Sequence, residues 1–233
     1  MNLSSSNKPK LLIIHGFGGG VHEVNPLAKY LTDLGYEVVC PVLKGHSQGR
    51  KEMVEAEHAD WVESAELELL RLKDSGDEVI PIGFSMGGLI AFNLACAHDV
   101  KAVVTINTPI YYWNIWQVLK NLADDVKNKR LSHAKRYLRA KKNSPLRSMT
   151  QFLLLLHKTK QKLRDITCPL LIIQAEDDDT VRRKSVDYIN EHVSSESKTI
   201  RCFRDGGHLI LLSQTAKQVM SCVEDFISHQ SLR

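Results

Sequence analysis

Val79-Ile80-Pro81-Ile82-Gly83-Phe84-Ser85-Met86-Gly87, running on into Gly88-Leu89-Ile90-Ala91-Phe92-Asn93-Leu94-Ala95, is the stretch on which the reading of this chain turns. Val79 to Ile82 is an apolar run of strand length. Gly88 to Ala95 has the composition of a buried helix. Between them, Gly83 to Gly87 fits G-x-S-x-G. A serine on so sharp a strand-to-helix turn is pushed out of the sheet with its hydroxyl exposed. The flanking glycines have a steric reason, since strand and helix pass too close there for side chains.

The same rhythm extends outward on both sides. Upstream, Lys10 to His15 reads as a buried strand and Gly16-Phe17-Gly18-Gly19-Gly20 as a loop. A helix follows with Asn25 as N-cap, Pro26 in the first turn and Gly35 at its end. Tyr36 to Pro41 reads as a second strand, and Ala59 to Leu72 as a helix with Trp61, Ala65, Leu69 and Leu72 on one face. Downstream, the helix after Ser85 runs to about His98, and Val100 to Ile106 is another strand. Alternating strands and helices imply a parallel sheet with covering helices and right-handed crossovers. Pro81 lies inside the strand that feeds Ser85. It removes one ladder hydrogen bond, so a local irregularity is expected there.

After Thr108-Pro109 the rhythm breaks. Residues 110–165 carry helical signals only, including a stripe of Ile115, Leu119, Leu122 and Val126 and a second set of Phe152, Leu156 and Leu163. An insertion of this length is too long for an idle loop. The alternation resumes with a strand at Cys168 to Ala175, a helix from Arg183 to His192, a strand from Lys198 to Phe203, and a last helix from Ser213 to Ser228.

A serine hydroxyl needs a general base, a group that orients the base, and donors for the oxyanion. His208 follows the last strand in the loop Asp205-Gly206-Gly207-His208, at the edge where parallel sheets carry their sites. The acid is expected after the preceding strand, where Glu176, Asp177, Asp178 and Asp179 stand in a row; charge alone does not choose among them. The turn Asn107-Thr108-Pro109 holds no carboxylate. Met86 N–H, just past the serine, and Phe17 N–H, in the loop after the first strand, are the expected oxyanion donors. The alternative reading of Gly16 to Gly20 as a dinucleotide loop fails. The spacing is not G-x-G-x-x-G, and no acid ends the second strand. His15 is expected to orient the loop.

Composition bounds the rest. The chain has 233 residues, 43% hydrophobic and 25% charged, ordinary for a globular protein. Its first residues lack the apolar region of a signal peptide. Five widely spaced cysteines with no C-x-x-C argue against a disulfide framework and a zinc site, and fit reduced thiols in the cytoplasm. Net charge is +4, but residues 120–162 hold thirteen Lys/Arg against two acids, a local +11 that leaves −7 for the remainder. Three readings fit this segment: a solvated helix face, weak attraction to an anionic membrane surface, and steering of anionic substrates. Nucleic-acid binding is disfavoured, since no reading motif accompanies the charge. Tyr111, Tyr112, Trp113 and Trp116, where the insertion leaves the sheet, read either as an acyl-binding wall or as packing between insertion and core.

His15-Gly16-Phe17-Gly18-Gly19, Lys44-Gly45-His46, Gly83 to Gly88, Ala175 to Val181 and Gly207-His208 occur in that order over nearly the whole chain. In this the sequence resembles the α/β-hydrolase superfamily, and within it small bacterial carboxylesterases and monoacylglycerol-lipase-like enzymes. Gly45-His46-Ser47 departs from the G-H-G common in such chains. The resemblance implies an α/β-hydrolase core over 1–109 and 166–233 and a helical cap over 110–165. The family's G/A-x-x-D-x-x-V pattern falls on Ala175, Asp178 and Val181, so it selects Asp178 as the acid, with Asp177 next. The resemblance implies no metal or organic cofactor. The expected partner is a small acyl ester of short to medium chain, hydrolysed through Ser85, Asp178 and His208. A monoacylglycerol lipase, a thioesterase or amidase, and a non-catalytic binding protein on the same fold are the alternatives. The sequence sets no oligomeric state.

Overall fold

The structure is a computed structural model and describes residues 8–47, 50–74, 76–112 and 146–231. The expected stripe from Ile115 to Val126, Trp113, Trp116 and the 120–145 part of the basic segment lie outside the described residues. Strands and helices alternate: β1 (Lys10–Ile14), α1 (Asn25–Asp33), β2 (Val38–Val39), α2 (Arg50–Glu55), α3 (His58–Lys73), β3 (Val79–Phe84), α4 (Met86–Ala97) and β4 (Val103–Ile106). After the undescribed stretch come α5 (Leu146–Lys162), β5 (Leu170–Ala175), α6 (Lys184–His192), β6 (Lys198–Phe203) and α7 (Ala216–Ser231). Single 3-10 turns stand at Val21–Glu23, Leu163–Asp165 and Ile210–Leu212.

The described strands form one sheet in the order β2-β1-β3-β4-β5-β6, every neighbouring pair parallel. Strand alternation sends Leu12, Ile14, Val79, Val103, Leu170 and Ile172 to one face, where α3, α4, α5 and α6 cover them. Leu11, Ile13, Ile80, Ile82, Val104, Leu171 and Ile173 point to the other face, against α1 and α7. With both faces buried, β1, β3, β4 and β5 read as near-continuous apolar runs, which is why they were legible; the edge strands β2 and β6 are only partly buried. The chain leaves β1 toward β2 and leaves β3 toward β4. The loops after β1 and β3 therefore diverge, and a crevice opens at the carboxyl ends of these two strands.

Three details differ from expectation. Asn25 is not the cap of α1 but its first residue. Val24 takes the cap position without a side-chain bond, because the turn at Val21–Glu23 runs directly into the helix. The second strand is only Val38–Val39, since it borders β1 alone and Pro41 cannot donate to a ladder. Pro81 causes no irregularity toward β1, where the register is unbroken from Lys10↔Val79 to Ile14↔Gly83. Lys101 N–H donates to Val79 O, so the odd-numbered residues of β3 face the β4 side. The missing N–H of Pro81 thus falls at the entrance of that ladder, whose paired register begins at Ile82↔Val104.

The turn between β3 and α4 depends on its glycines. A Cβ on Gly83 would sit 2.2 Å from Gly87 O, and one on Gly87 would sit 2.1 Å from Ile14 O. Both obstacles are backbone, which no rotamer change can clear. Gly83→Ala is therefore expected to destabilise the fold by at least about 3 kcal/mol, the upper range of overpacking in a tight core. Thermal unfolding of the variant checks this; an unchanged midpoint would contradict the geometry.

Helix α5, the helix described within the 110–165 segment, is tied to the body by several side-chain bonds. Ser148 Oγ donates to Met53 O, Asn93 Nδ2 donates to Thr159 Oγ1, and His58 N–H donates to Gln151 Oε1. Its apolar face buries Phe152, Leu155 and Leu156. Leu153 and Leu154 are exposed. Among the described residues no helix is long and apolar enough to cross a membrane.

Candidate active site

Ser85 stands between β3 and α4 with φ 53° and ψ −121°, a left-handed conformation that costs an ordinary residue energy. Surrounding bonds hold it there. Its N–H donates to Ile106 O at 2.8 Å, and its carbonyl accepts from Gly88 N–H at 3.0 Å. The hydroxyl lies 3.1 Å from His208 Nε2.

His208 Nδ1 lies 2.9 Å from Asp178 Oδ2. Asp178 is buried, and its other oxygen accepts from Thr180 N–H at 2.7 Å and Val181 N–H at 2.9 Å. An acceptor-only carboxylate at Oδ2 fixes the proton on Nδ1 and leaves Nε2 free to accept from the serine. Burial pulls the His208 pKa down, but the charge and hydrogen bond of Asp178, with the charges of Asp179 and Glu23, outweigh it; the net direction is upward. Asp177 does a different job: its carboxylate accepts from Gly207 N–H at 2.9 Å and Gly206 N–H at 3.3 Å, fastening the loop before His208.

The loop after β1 sits against the serine. A Cβ on Gly16 would lie 3.2 Å from Ser85 Cβ. Two neutral imidazoles shape this loop. His15 Nδ1–H donates to Gly16 O at 2.9 Å, and Nε2 accepts from Leu43 N–H at 3.4 Å. Burial lowers the His15 pKa to about 4, so it carries no proton to spare. His46 Nε2 accepts from Gly18 N–H at 3.2 Å, and burial lowers its pKa as well. Phe17 lies between these anchored residues. Met86 opens α4, where first-turn N–H groups have no intrahelical acceptor.

The aromatic residues divide. Tyr112 packs edge-on against Phe152 of α5 at 5.8 Å, and Phe152 lies 5.4 Å from the Phe17 ring, which also meets Trp61 at 5.6 Å. Tyr111 turns away toward α6, perpendicular to Tyr188 at 5.7 Å, with Lys160 Nζ 4.7 Å from its ring centre. Trp113 and Trp116 fall outside the described residues.

Sequence reasoning missed two residues here. Asn107 is buried at φ 49°; its Nδ2 donates to Gly207 O at 3.1 Å and His208 O at 2.8 Å, and its Oδ1 accepts from Ala175 N–H at 2.8 Å. It joins the acid loop to the base loop. The signal available was an asparagine ending a buried strand, a residue type that tolerates positive φ. Glu23 is the second, with its carboxylate against Gly16 and Gly19.

Parallel sheet, helical layers and a serine, histidine and carboxylate at one crevice define an α/β-hydrolase, a serine hydrolase. Residues 5–215 match the family model described as serine aminopeptidase, S33, and the chain belongs to that family. It is 30% identical over 234 residues to the thermostable monoacylglycerol lipase of Bacillus sp. (strain H-257), a match covering 94% of this chain and 90% of that protein. It is 24% identical over 224 residues to a carboxylesterase of Bacillus subtilis (strain 168), covering 93% and 91%. Among solved structures, one of two metagenome-derived lipolytic enzymes superimposes with TM-score 0.77 at 19% identity, covering 96% of this chain and 94% of that one. A soluble variant of the monoglyceride lipase of Saccharomyces cerevisiae gives 0.75 at 17% identity, covering 99% and 89%.

Proposed function

We propose that this enzyme hydrolyses carboxylic esters of short- to medium-chain acyl groups through an acyl-enzyme on Ser85. The observation that carries the reading is the unbroken hydrogen-bond chain from Asp178 through His208 to Ser85. Likeness to a monoacylglycerol lipase and a carboxylesterase supports an ester as the substrate class.

In this reading Ser85 Oγ attacks the ester carbonyl carbon while its proton passes to His208 Nε2. Asp178 keeps the imidazole tautomer and stabilises the imidazolium. Phe17 N–H and Met86 N–H hold the oxyanion. Collapse breaks the carbon–oxygen bond, and the leaving alcohol takes the proton from His208. Water, deprotonated by the same histidine, then attacks the acyl carbon and releases the acid with Ser85 restored. Residues 110–165 form the cap and residues 1–109 with 166–233 the hydrolase core. The described end of that segment, α5, packs with α3 and α4 on the sheet face and borders the site, where its Phe152 connects Tyr112 to the Phe17 ring, so the acyl chain would run beneath α5 along these rings. Tyr111 faces α6 and is better suited to packing. The five free cysteines, spread through the chain, support a cytoplasmic setting.

A substrate panel tests the ester reading: p-nitrophenyl acetate to laurate, a monoacylglycerol, an acyl thioester and an aminoacyl arylamide. The p-nitrophenyl butyrate and octanoate esters are expected to turn over fastest. His208 must be unprotonated to accept the serine proton, and its pKa is raised. The acid limb of kcat/KM is therefore expected to have its midpoint above 6.5, the ordinary histidine value. Preference for the arylamide would overturn the ester reading; an acid limb below that value would contradict only the carboxylate environment drawn around His208.

A further inference from the structure

Glu23 is a carboxylate that the reaction described above does not use, yet it is packed into the site. It closes the single turn Val21–Glu23 that follows the loop after β1, and its side chain folds back over that loop. Oε2 accepts from Gly16 N–H at 3.2 Å. A Cβ on Gly19 would fall 2.1 to 2.2 Å from the carboxylate atoms, so the carboxylate occupies the space a side chain there would need. A Cβ on Gly16 would lie 3.2 Å from both Glu23 Oε2 and Ser85 Cβ. The backbone that carries Phe17 is thus wedged between this carboxylate and the nucleophile.

We propose that Glu23 is a positioning residue: its carboxylate fixes the loop from Gly16 to Gly20 so that Phe17 N–H points at the reacting carbonyl, and it presents a negative charge toward His208. The inference rests on the catalytic reading of Ser85 and His208. The loop itself is rich in glycine and would otherwise sample many conformations. An oxyanion donor contributes only if its direction is set before the charge develops. Glu23 sets it by accepting Gly16 N–H at the start of the loop, while His46 accepts Gly18 N–H in its middle.

The charges around the pair are few. Burial raises the Glu23 pKa, and the charge of His208, Gly16 N–H, the charge of His22 and Gly20 N–H pull it back. His208 is faced by Asp178 and Asp179 from the acid loop and by Glu23 from the loop after β1, each raising its pKa against burial. Removing the Glu23 charge therefore lowers the His208 pKa. A carboxylate that merely braced the backbone would leave the pH profile where it was.

The rate at which a fluorophosphonate probe labels Ser85, followed from pH 5 to 9 in the full-length protein, reads both effects. Glu23→Gln removes the charge and one acceptor. Its acid limb is expected at lower pH than in the parent, with a plateau about tenfold lower, since a misplacement of about 1 Å can cost about 10²-fold. Glu23→Asp keeps the charge but falls a methylene short of Gly16 N–H; its plateau is expected to fall with a smaller shift of the limb. Equal thermal unfolding midpoints for the parent and at least one variant show that the readout comes from a folded site. An acid limb unmoved in Glu23→Gln, or a plateau undiminished in both variants, overturns the proposal. A parent protein left unlabelled at Ser85 overturns instead the reading on which it rests.

Discussion

Ser85→Ala is expected to abolish ester hydrolysis, lowering kcat on p-nitrophenyl butyrate by about 10⁶-fold with little change in KM. The loss is large because the members of such a unit do not contribute separately. Without Oγ, His208 has no proton to take from a nucleophile and the acyl-enzyme does not form. What remains is binding and the oxyanion donors, which in comparable sites leave about 10³-fold over water. The fold is not expected to suffer. The bonds that hold the turn come from backbone groups, namely Ser85 N–H on Ile106 O and Gly88 N–H on Ser85 O. Alanine keeps both, and it meets the same left-handed φ as the serine. Steady-state kinetics with thermal unfolding as control decide the matter. A variant that folds and still hydrolyses the ester at more than about a thousandth of the parent rate would remove Ser85 from the mechanism.

The order of elements was legible because both sheet faces are covered. Leu11 to Ile14, Val79 to Ile82 and Leu170 to Ile173 are therefore continuous apolar runs with polar breaks. Ser85 was legible for a related reason, since it directly follows β3, a strand buried along its whole length. The His208 loop follows β6, a partly exposed strand, and was legible only from its place between a strand and the last helix. Glu23 was not legible. It stands in the short turn Val21-His22-Glu23, and nothing local says that its side chain turns inward over a loop several residues back. Asn107 was not legible either, because an asparagine in a turn without a carboxylate carries no catalytic signal of its own. Its role depends on three backbone groups that come from 68 to 101 positions away in sequence. Contacts of that span are set by the registers of β4 on β5 and of β5 on β6, which the sequence pattern does not encode. The acid shows both sides. Four carboxylates in a row carry the same local signal, and the difference between Asp177 and Asp178 is which backbone N–H groups each one meets.

Asp178→Asn is expected to lower kcat by about 10⁴-fold while Asp177→Asn costs far less, and the reason lies in how the amide must orient. Asp178 Oδ1 accepts from two fixed donors, Thr180 N–H and Val181 N–H. In the asparagine variant only the carbonyl oxygen can take that place, since an NH₂ there would face two N–H groups. The NH₂ is then forced into the Oδ2 position, opposite His208 Nδ1 and beside Gln174 Nε2, another donor. Nδ1 must become the acceptor, which moves the imidazole proton to Nε2, the nitrogen that faces Ser85 Oγ. A protonated Nε2 cannot take the serine proton, so the geometry survives while the chemistry stops. The same change removes the charge that does most to raise the His208 pKa against burial, so residual activity is expected to show its acid limb at lower pH. Asp177 meets Gly206 and Gly207 N–H instead, and its amide can keep an oxygen on Gly207 without touching the imidazole. Parallel pH–rate profiles of the two variants test the distinction. Equal losses, or a greater loss for Asp177→Asn, would transfer the acid's role from Asp178 to its neighbour.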